Sequence, residues 1–108
     1  MTIFDNYKDY AGKYAISPAL LWEYDLSSFD WWRSRKIVVQ RVIERGWLED
    51  YYAALNLYGG MEPFREIIKE VPTLSERDLQ FVCSVFHLKK EELRCYTRKL
   101  LRERHLNS

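Results

Sequence analysis

Residues 17–46, SPALLWEYDLSSFDWWRSRKIVVQRVIERG, contain the clearest amphipathic pattern of the chain. At 100° per residue, the apolar side chains of positions 31–45 fall on one arc, about 140° wide. These side chains are Trp31, Trp32, Val38, Val39, Val42 and Ile43. The pattern predicts an α-helix over 31–45, with Asp30 as its N-cap and Gly46 as a left-handed C-cap.

Two features of this stretch need an explanation. Large aromatic side chains at helical spacing are typical of a core, so we expect Trp22, Trp31 and Trp32 to be buried. The alternative is that tryptophans beside arginines stack on the bases of a single strand. Arg35 projects from within the apolar arc. Either its aliphatic stem packs while its charged end reaches water, or it meets an acidic partner.

The remaining helices are indicated by glycine, proline and capping residues. Ser17-Pro18, Gly59-Gly60, Pro63 and Pro72 fall where helices should begin or end, and Ser75 is an expected N-cap. The pattern predicts further helices over 18–23, 47–58, 62–71, 76–87 and 90–104. No strand-like alternation of any length occurs. We therefore expect an all-α single domain of five to six short helices over 17–104, preceded by an N-terminal arm (1–16) and followed by a frayed tail (105–108).

Composition and charge narrow the class of protein. The chain has 108 residues, of which 47% are hydrophobic and 16% aromatic, which is typical of one folded domain and excludes a disordered protein. The net charge of +1 argues against a molecule that binds nucleic acid through its overall charge. Basic and acidic blocks alternate along the chain, and we expect them to neutralise each other across the fold.

No apolar run approaches the ~20 residues that a membrane span needs, and the N-terminus lacks the features of a signal peptide. Two cysteines, Cys83 and Cys95, are too few for a disulfide scaffold. The sequence thus predicts a cytoplasmic protein without membrane association, in which both thiols are reduced.

The sequence offers little that is typical of catalysis. Cys83, His87, Cys95 and His105 could in principle bind zinc, but their spacing matches no familiar zinc module. No nucleophile, base and orienting group are indicated together, and no glycine-rich phosphate loop is present. We expect no catalytic activity, no metal and no cofactor.

The C-terminal region carries the candidate binding surface. Arg94, Arg98 and Arg102 recur every four residues, opposite Leu93, Tyr96 and Leu100. Arg77 and Gln80 begin a polar strip on the preceding helix, and Lys99 adds charge to the last one. Such a surface can follow a phosphate backbone, and residues 64–86 could form a helix-turn-helix. It can equally bind an acidic protein, so both interpretations stay open.

Residues 17–55 also resemble a family of small uncharacterised bacterial proteins. The resemblance is carried by Ser17-Pro18, the segment Trp22-Glu23-Tyr24-Asp25, the pair Asp30-Trp31 and the run Val42-Ile43-Glu44-Arg45-Gly46, and residues 74–96 resemble the second half of the same family. Its members form a domain of unknown function and often look like small antitoxin-type partners, encoded beside nucleotidyltransferase-like toxins. The resemblance implies the fold unit and a bacterial cytoplasm.

These observations together favour a non-catalytic bacterial interaction or regulatory domain, antitoxin-like in its role, whose partner is another protein. The alternative is a helix-turn-helix protein that binds DNA with its two C-terminal helices. A homo-oligomer is compatible with either function. The candidate surface is the same for both and comprises Arg77, Gln80, Arg94, Arg98, Lys99 and Arg102.

Overall fold

A computed structural model describes residues 3–98 and 101. Within these residues, α-helices with defined bounds are α1 (Arg35–Arg45), α2 (Leu48–Leu57), α3 (Met61–Glu70) and α4 (Glu76–Val85). Three short 3-10 helices cover Tyr7–Tyr10, Pro18–Leu21 and Lys90–Glu92, and residues 94–98 are again helical. No strand occurs within residues 3–98, which confirms the prediction of an all-α single domain.

Helix α1 begins four residues later than predicted. The Asp30 carboxylate accepts a hydrogen bond from the Arg33 amide (2.9 Å), and the Asp30 carbonyl accepts one from the Ser34 amide (3.0 Å). These bonds close a turn over residues 30–34, so Asp30 caps a turn that precedes the helix. The predicted start of the helix at position 31 was therefore wrong.

The left-handed C-cap predicted at Gly46 was also wrong, because this residue is extended, with φ −75° and ψ 153°. A glycine is needed here for another reason. A Cβ atom at position 46 would lie 2.5 Å from the Val42 carbonyl oxygen, which itself accepts the hydrogen bond from the Gly46 amide. Any side chain would push the backbone away from the end of α1.

The ends of α2, α3 and α4 follow the predicted boundaries closely. Gly59 and Gly60 both have positive φ and end α2, as glycines do at little steric cost. The Ser75 hydroxyl accepts a hydrogen bond from the Asp78 amide (3.2 Å), which confirms the predicted N-cap of α4. The last predicted helix does not start at 90, because extended backbone at Leu93 separates the 3-10 helix from the helical residues 94–98.

The core is built around aromatic rings from distant parts of the chain. Phe4 stacks on Tyr51 at 4.4 Å and on Phe86 at 5.6 Å between ring centroids. Phe86 also contacts Phe64 of α3 at 5.3 Å. Fully buried aliphatic residues of every α-helix surround these rings: Val38, Val39 and Val42 of α1, Leu55 of α2, Ile68 of α3 and Val82 of α4.

Asp50 is the buried charged residue of the described region, with 4% of its surface exposed. One carboxylate oxygen accepts a hydrogen bond from the Ser17 amide (2.8 Å), and the other accepts one from the Trp47 amide (2.9 Å). The second bond satisfies a backbone donor at the start of α2. The first holds the residue before the 3-10 helix Pro18–Leu21 against α2, and thereby places Leu20 and Leu21 in the core.

Replacing Asp50 with alanine should destabilise the domain by roughly 2–4 kcal/mol, because two backbone amides lose a charged acceptor. Replacing its exposed neighbour Glu49 with alanine should cost less than about 1 kcal/mol, since it removes only a favourable charge in the first turn. Chemical denaturation of both variants measures this difference. Equal free energies of unfolding for the two variants would contradict a bridging role for Asp50.

Candidate functional site

Three tryptophans lie on the surface of this domain. The exposed fractions are 75% for Trp22, 60% for Trp32 and 77% for Trp47. The prediction that Trp22 and Trp32 belong to the core was therefore wrong. Trp32 lies in the turn before α1 and so does not share the apolar arc of that helix. Trp22 comes one residue after the 3-10 helix, which uses Leu20 and Leu21 for its buried contacts.

Trp31 behaves differently from its neighbour. Its ring is half-buried, packs against the core and meets the Phe29 ring edge-on at 4.8 Å. Its carbonyl oxygen accepts a hydrogen bond from the Tyr58 hydroxyl (2.8 Å). The prediction of a buried tryptophan thus holds in part at position 31. The backbone there is fixed by Tyr58, which lies 27 residues later in the chain.

The exposed Trp32 ring is held by Arg35. The Arg35 guanidinium lies 4.4 Å from the centroid of the Trp32 ring, and its Nη1 donates a hydrogen bond to the Trp32 carbonyl (3.0 Å). Its Nη2 is 3.8 Å from a carboxylate oxygen of Glu70 in α3. The second predicted outcome for Arg35 therefore occurs, since its charged end meets an acid. A cation over an indole face is a favourable arrangement that fixes the ring while leaving it accessible.

The segment that carries Trp22 is fixed to α1 by Arg41. Arg41 Nη2 forms a salt bridge with Glu23 (2.7 Å), and Nη1 donates a hydrogen bond to the Leu20 carbonyl (2.9 Å). The hydrogen bond from Arg41 lowers the pKa of the Glu23 carboxyl below its usual value. Trp22 thus projects from backbone that is anchored on both sides.

A largely apolar cavity of about 540 Å³ opens between the N-terminal segment, the 26–31 loop and α2. Its walls include Tyr14, Ile16, Pro18, Leu26, Trp31 and Leu57. The volume falls within the range of ordinary ligand sites. It is large enough for one or two apolar side chains of another protein.

The surface predicted from the sequence is exposed where the structure describes it. Arg77, Gln80, Arg94 and Arg98 are all exposed, whereas Lys99 and Arg102 lie outside the described residues. The surface is not uniformly basic. The Gln80 amide donates a hydrogen bond to Glu76 (3.4 Å), and Lys90 forms a salt bridge with the same carboxylate (3.7 Å). Acidic groups therefore stand among the basic ones at the start of α4.

The titratable residues considered for catalysis or metal binding are spread out. Cys83 and Cys95 are free thiols, and burial raises the pKa of each, which disfavours the reactive thiolate. Within residues 3–98, no three His, Cys, Asp or Glu side chains come together in a way that could hold a metal ion. The same region contains no helix long and apolar enough to cross a membrane.

Comparison with known proteins adds one finding about this part of the chain. Residues 16–68 match a family of unknown function (DUF6922). No curated protein and no solved structure matches the chain. The matched segment contains all four tryptophans and Asp50, whereas the basic residues of the C-terminal region lie beyond it. The chain thus carries an uncharacterised domain, and its three exposed tryptophans fall within the matched segment.

Trp22→Ala and Trp47→Ala should each change the free energy of unfolding by no more than about 0.5 kcal/mol, because both side chains are largely in water. Phe64→Ala is the matched core substitution and should cost about 3–5 kcal/mol. Thermal or urea unfolding of the three variants tests this contrast. A loss at Trp22 as large as that at Phe64 would place Trp22 in the core after all.

The Glu23–Arg41 salt bridge should make stability depend on pH. Because the pKa of Glu23 is lower in the folded protein than its usual value of 4.5, ionised Glu23 stabilises the fold above that pH. This contribution should disappear as the pH falls through the lowered pKa. We expect wild type to be more stable than Glu23→Gln at pH 7, with the difference shrinking in acid. A difference that grows on acidification would contradict this assignment.

Proposed function

We propose that this chain is a non-catalytic interaction domain that binds another protein, in a regulatory, antitoxin-like role. The observation that carries the proposal is the exposure of three tryptophans on a domain that fully buries three of its five phenylalanines, Phe4, Phe64 and Phe86. Residues 17–55 and 74–96 resemble a family of small uncharacterised bacterial proteins, and the antitoxin-like role is what this resemblance implies, because members of that family often look like antitoxin-type partners.

Exposed tryptophans are favourable for binding because of their size. A tryptophan side chain buries roughly 150–250 Å² when covered, and tryptophan and arginine dominate the binding energy of many protein interfaces. Trp32 is already held by Arg35, so little conformational freedom remains to be lost when a partner covers it. Immobilised aromatic rings of this kind are suited to serve as anchors.

The three tryptophans flank one helix. Trp32 precedes α1 and Trp47 follows it. Trp22 lies on the segment that Arg41 of α1 holds by a hydrogen bond to the Leu20 carbonyl. With 11 residues, α1 is about 16 Å long. An interface of standard size covers about 800 Å² on each partner. One partner of ordinary size could therefore reach the surroundings of both ends of α1.

The positive charge of α1 and the residues just before it suggests that the interface of the partner carries acidic residues. Residues 33–45 contain five Lys or Arg and one acidic residue. Arg33 and Arg45 are exposed, and they form no salt bridge within the described residues. A partner with acidic residues around an apolar centre would match this surface in both charge and polarity.

The alternative function is DNA binding through α4 and the C-terminal helix. One observation favours it, since Arg77, Gln80, Arg94 and Arg98 are all exposed. Glu76 and Asp78 stand beside Arg77 at the start of α4, where they would repel phosphate. This opposing charge makes protein binding the better-supported function.

The test is capture of a partner from the native host with the tagged chain, followed by reconstitution from purified components. The triple variant Trp22→Ala/Trp32→Ala/Trp47→Ala should raise the Kd of the reconstituted complex at least about tenfold, since interface anchors typically contribute about 2 kcal/mol each. The double variant Ile3→Ala/Leu101→Ala is the matched control. It also removes exposed apolar area, but near the two ends of the chain and outside the segment 22–47 that carries the tryptophans, and it should bind like wild type.

Two results would contradict the proposal. The first is a partner whose affinity does not depend on the tryptophans. The second is tight, sequence-selective binding of duplex DNA at ~0.15 M salt that weakens in Arg77→Gln/Arg94→Gln/Arg98→Gln. The second result would promote the helix-turn-helix alternative.

A further inference from the structure

A second cavity, of about 400 Å³, lies on the opposite side of α2 from the residues that line the apolar one. It is bounded by Ile43 and Glu44 at the end of α1, by Tyr51 of α2, and by Asp78 and Phe81 of α4; Gly46, Ser75 and Arg77 complete its lining. The Tyr51 and Phe81 rings lie 6.0 Å apart and form an aromatic wall. Polar and aromatic groups therefore meet in one concave site.

The hydroxyl of Tyr51 is the unusual group in this cavity. Tyr51 is 95% buried, since only 5% of its surface is exposed, and its ring stacks on Phe4. The hydroxyls of its neighbours are bonded, Tyr52 to the Asn6 side chain (3.0 Å) and Tyr58 to the Trp31 carbonyl (2.8 Å). The Tyr51 hydroxyl makes no hydrogen bond with any described residue.

This hydroxyl is directed at the cavity. No fully enclosed polar side-chain atom of the described residues lacks a hydrogen-bond partner, so the Tyr51 hydroxyl must reach accessible surface. The cavity that Tyr51 lines supplies that surface. Burial, and secondly the charge of Asp78, raise the pKa of Tyr51. The hydroxyl therefore stays neutral and is free to accept a hydrogen bond.

Two carboxylates face the same space. Asp78 uses one oxygen to accept a hydrogen bond from the Ser75 hydroxyl (2.9 Å), which leaves its other oxygen without a hydrogen bond. Glu44 is exposed, and its carboxylate forms no salt bridge with the described residues. Arg77 is the cation among the lining residues, so the acidic groups outnumber it and the site favours a positive ligand.

We propose that this cavity binds the guanidinium group of an arginine side chain of the partner protein. A guanidinium stacks on aromatic rings, donates hydrogen bonds to carboxylates and can donate another to a tyrosine hydroxyl. The aromatic wall provides the surface for stacking. The carboxylates of Glu44 and Asp78 and the free Tyr51 hydroxyl provide the hydrogen-bond acceptors. The source of the arginine rests on the proposed function, whereas the chemistry of the cavity does not.

The experiment uses the full-length chain with isotope labels and the small probe Nα-acetyl-L-arginine amide. Saturable NMR shifts are expected at Tyr51, Phe81 and Asp78. The neutral analogue Nα-acetyl-L-citrulline amide has nearly the same shape and should produce no saturable shifts. Glu44→Gln should weaken binding of the arginine probe by about threefold, whereas Arg77→Gln should strengthen it by a similar factor, because they remove opposite charges from the lining.

Tyr51→Phe and Tyr52→Phe form a matched pair. Tyr51→Phe should weaken probe binding without lowering the melting temperature, since its hydroxyl has no protein partner. Tyr52→Phe loses the bond to Asn6 and should lower the melting temperature while binding the probe like wild type. A Tyr51→Phe variant that binds normally would contradict the role of the hydroxyl.

Three other results would overturn the inference: no saturable shifts with the arginine probe, equal binding of the citrulline analogue, or weaker binding in Arg77→Gln. The last would show that repulsion by Arg77 does not govern binding of a cation in this cavity. These failures are distinct from failure of the proposed function. Partner binding that depends on the tryptophans would persist even if the cavity rejected arginine, and arginine binding would persist even if the tryptophans proved irrelevant.

Discussion

The buried carboxylate of Asp50 is the constraint on which much of this small domain depends. It joins two backbone amides, those of Ser17 and Trp47, that lie 30 residues apart in the chain. A charge at this depth is tolerable only because both oxygens accept hydrogen bonds. The bond to Trp47 sets the direction in which α2 begins, and the bond to Ser17 places the following leucines against the core. Trp47, one of the exposed tryptophans, is therefore held in place by a polar contact inside the molecule.

Much of the helix content could be predicted from local sequence, because local residues determine it. Gly59-Gly60 and Ser75 act within one turn of their own positions. The helices that end or begin at these residues do so within one or two residues of the predicted boundaries. The start of α1 could not be predicted in this way. An Asp that caps a helix and an Asp that caps a tight turn make similar bonds to the residues just after them. A projection at 100° per residue assigns positions to the faces of a helix but does not indicate where the helix begins. Trp32 was therefore assigned to the apolar face of α1, although it lies in the turn before that helix.

The candidate sites depended still more on tertiary structure. The exposure of Arg94 and Arg98 follows from helical spacing alone. The cavity that contains Tyr51 does not, since it joins residues of α1, α2 and α4 that no local pattern connects. Tyr51, Tyr52 and Tyr58 are also indistinguishable in sequence, although two of their hydroxyls are bonded and one is not. Which tyrosine carries a free hydroxyl is decided by packing against Phe4, Phe81 and Phe86.

The stacking of Phe4 on Tyr51 and Phe86 also bears on how the domain forms during synthesis. The ribosome makes residue 4 long before residue 86. Phe4 therefore cannot stack on Phe86 until most of the chain has been synthesised. During that interval α1 and α2 can form, but their inner faces lack the cover that Phe4 and α4 provide. The nascent chain therefore presents apolar surface until its last third has emerged. Exposed apolar surface of this kind makes a partly folded chain prone to aggregation until the cluster closes.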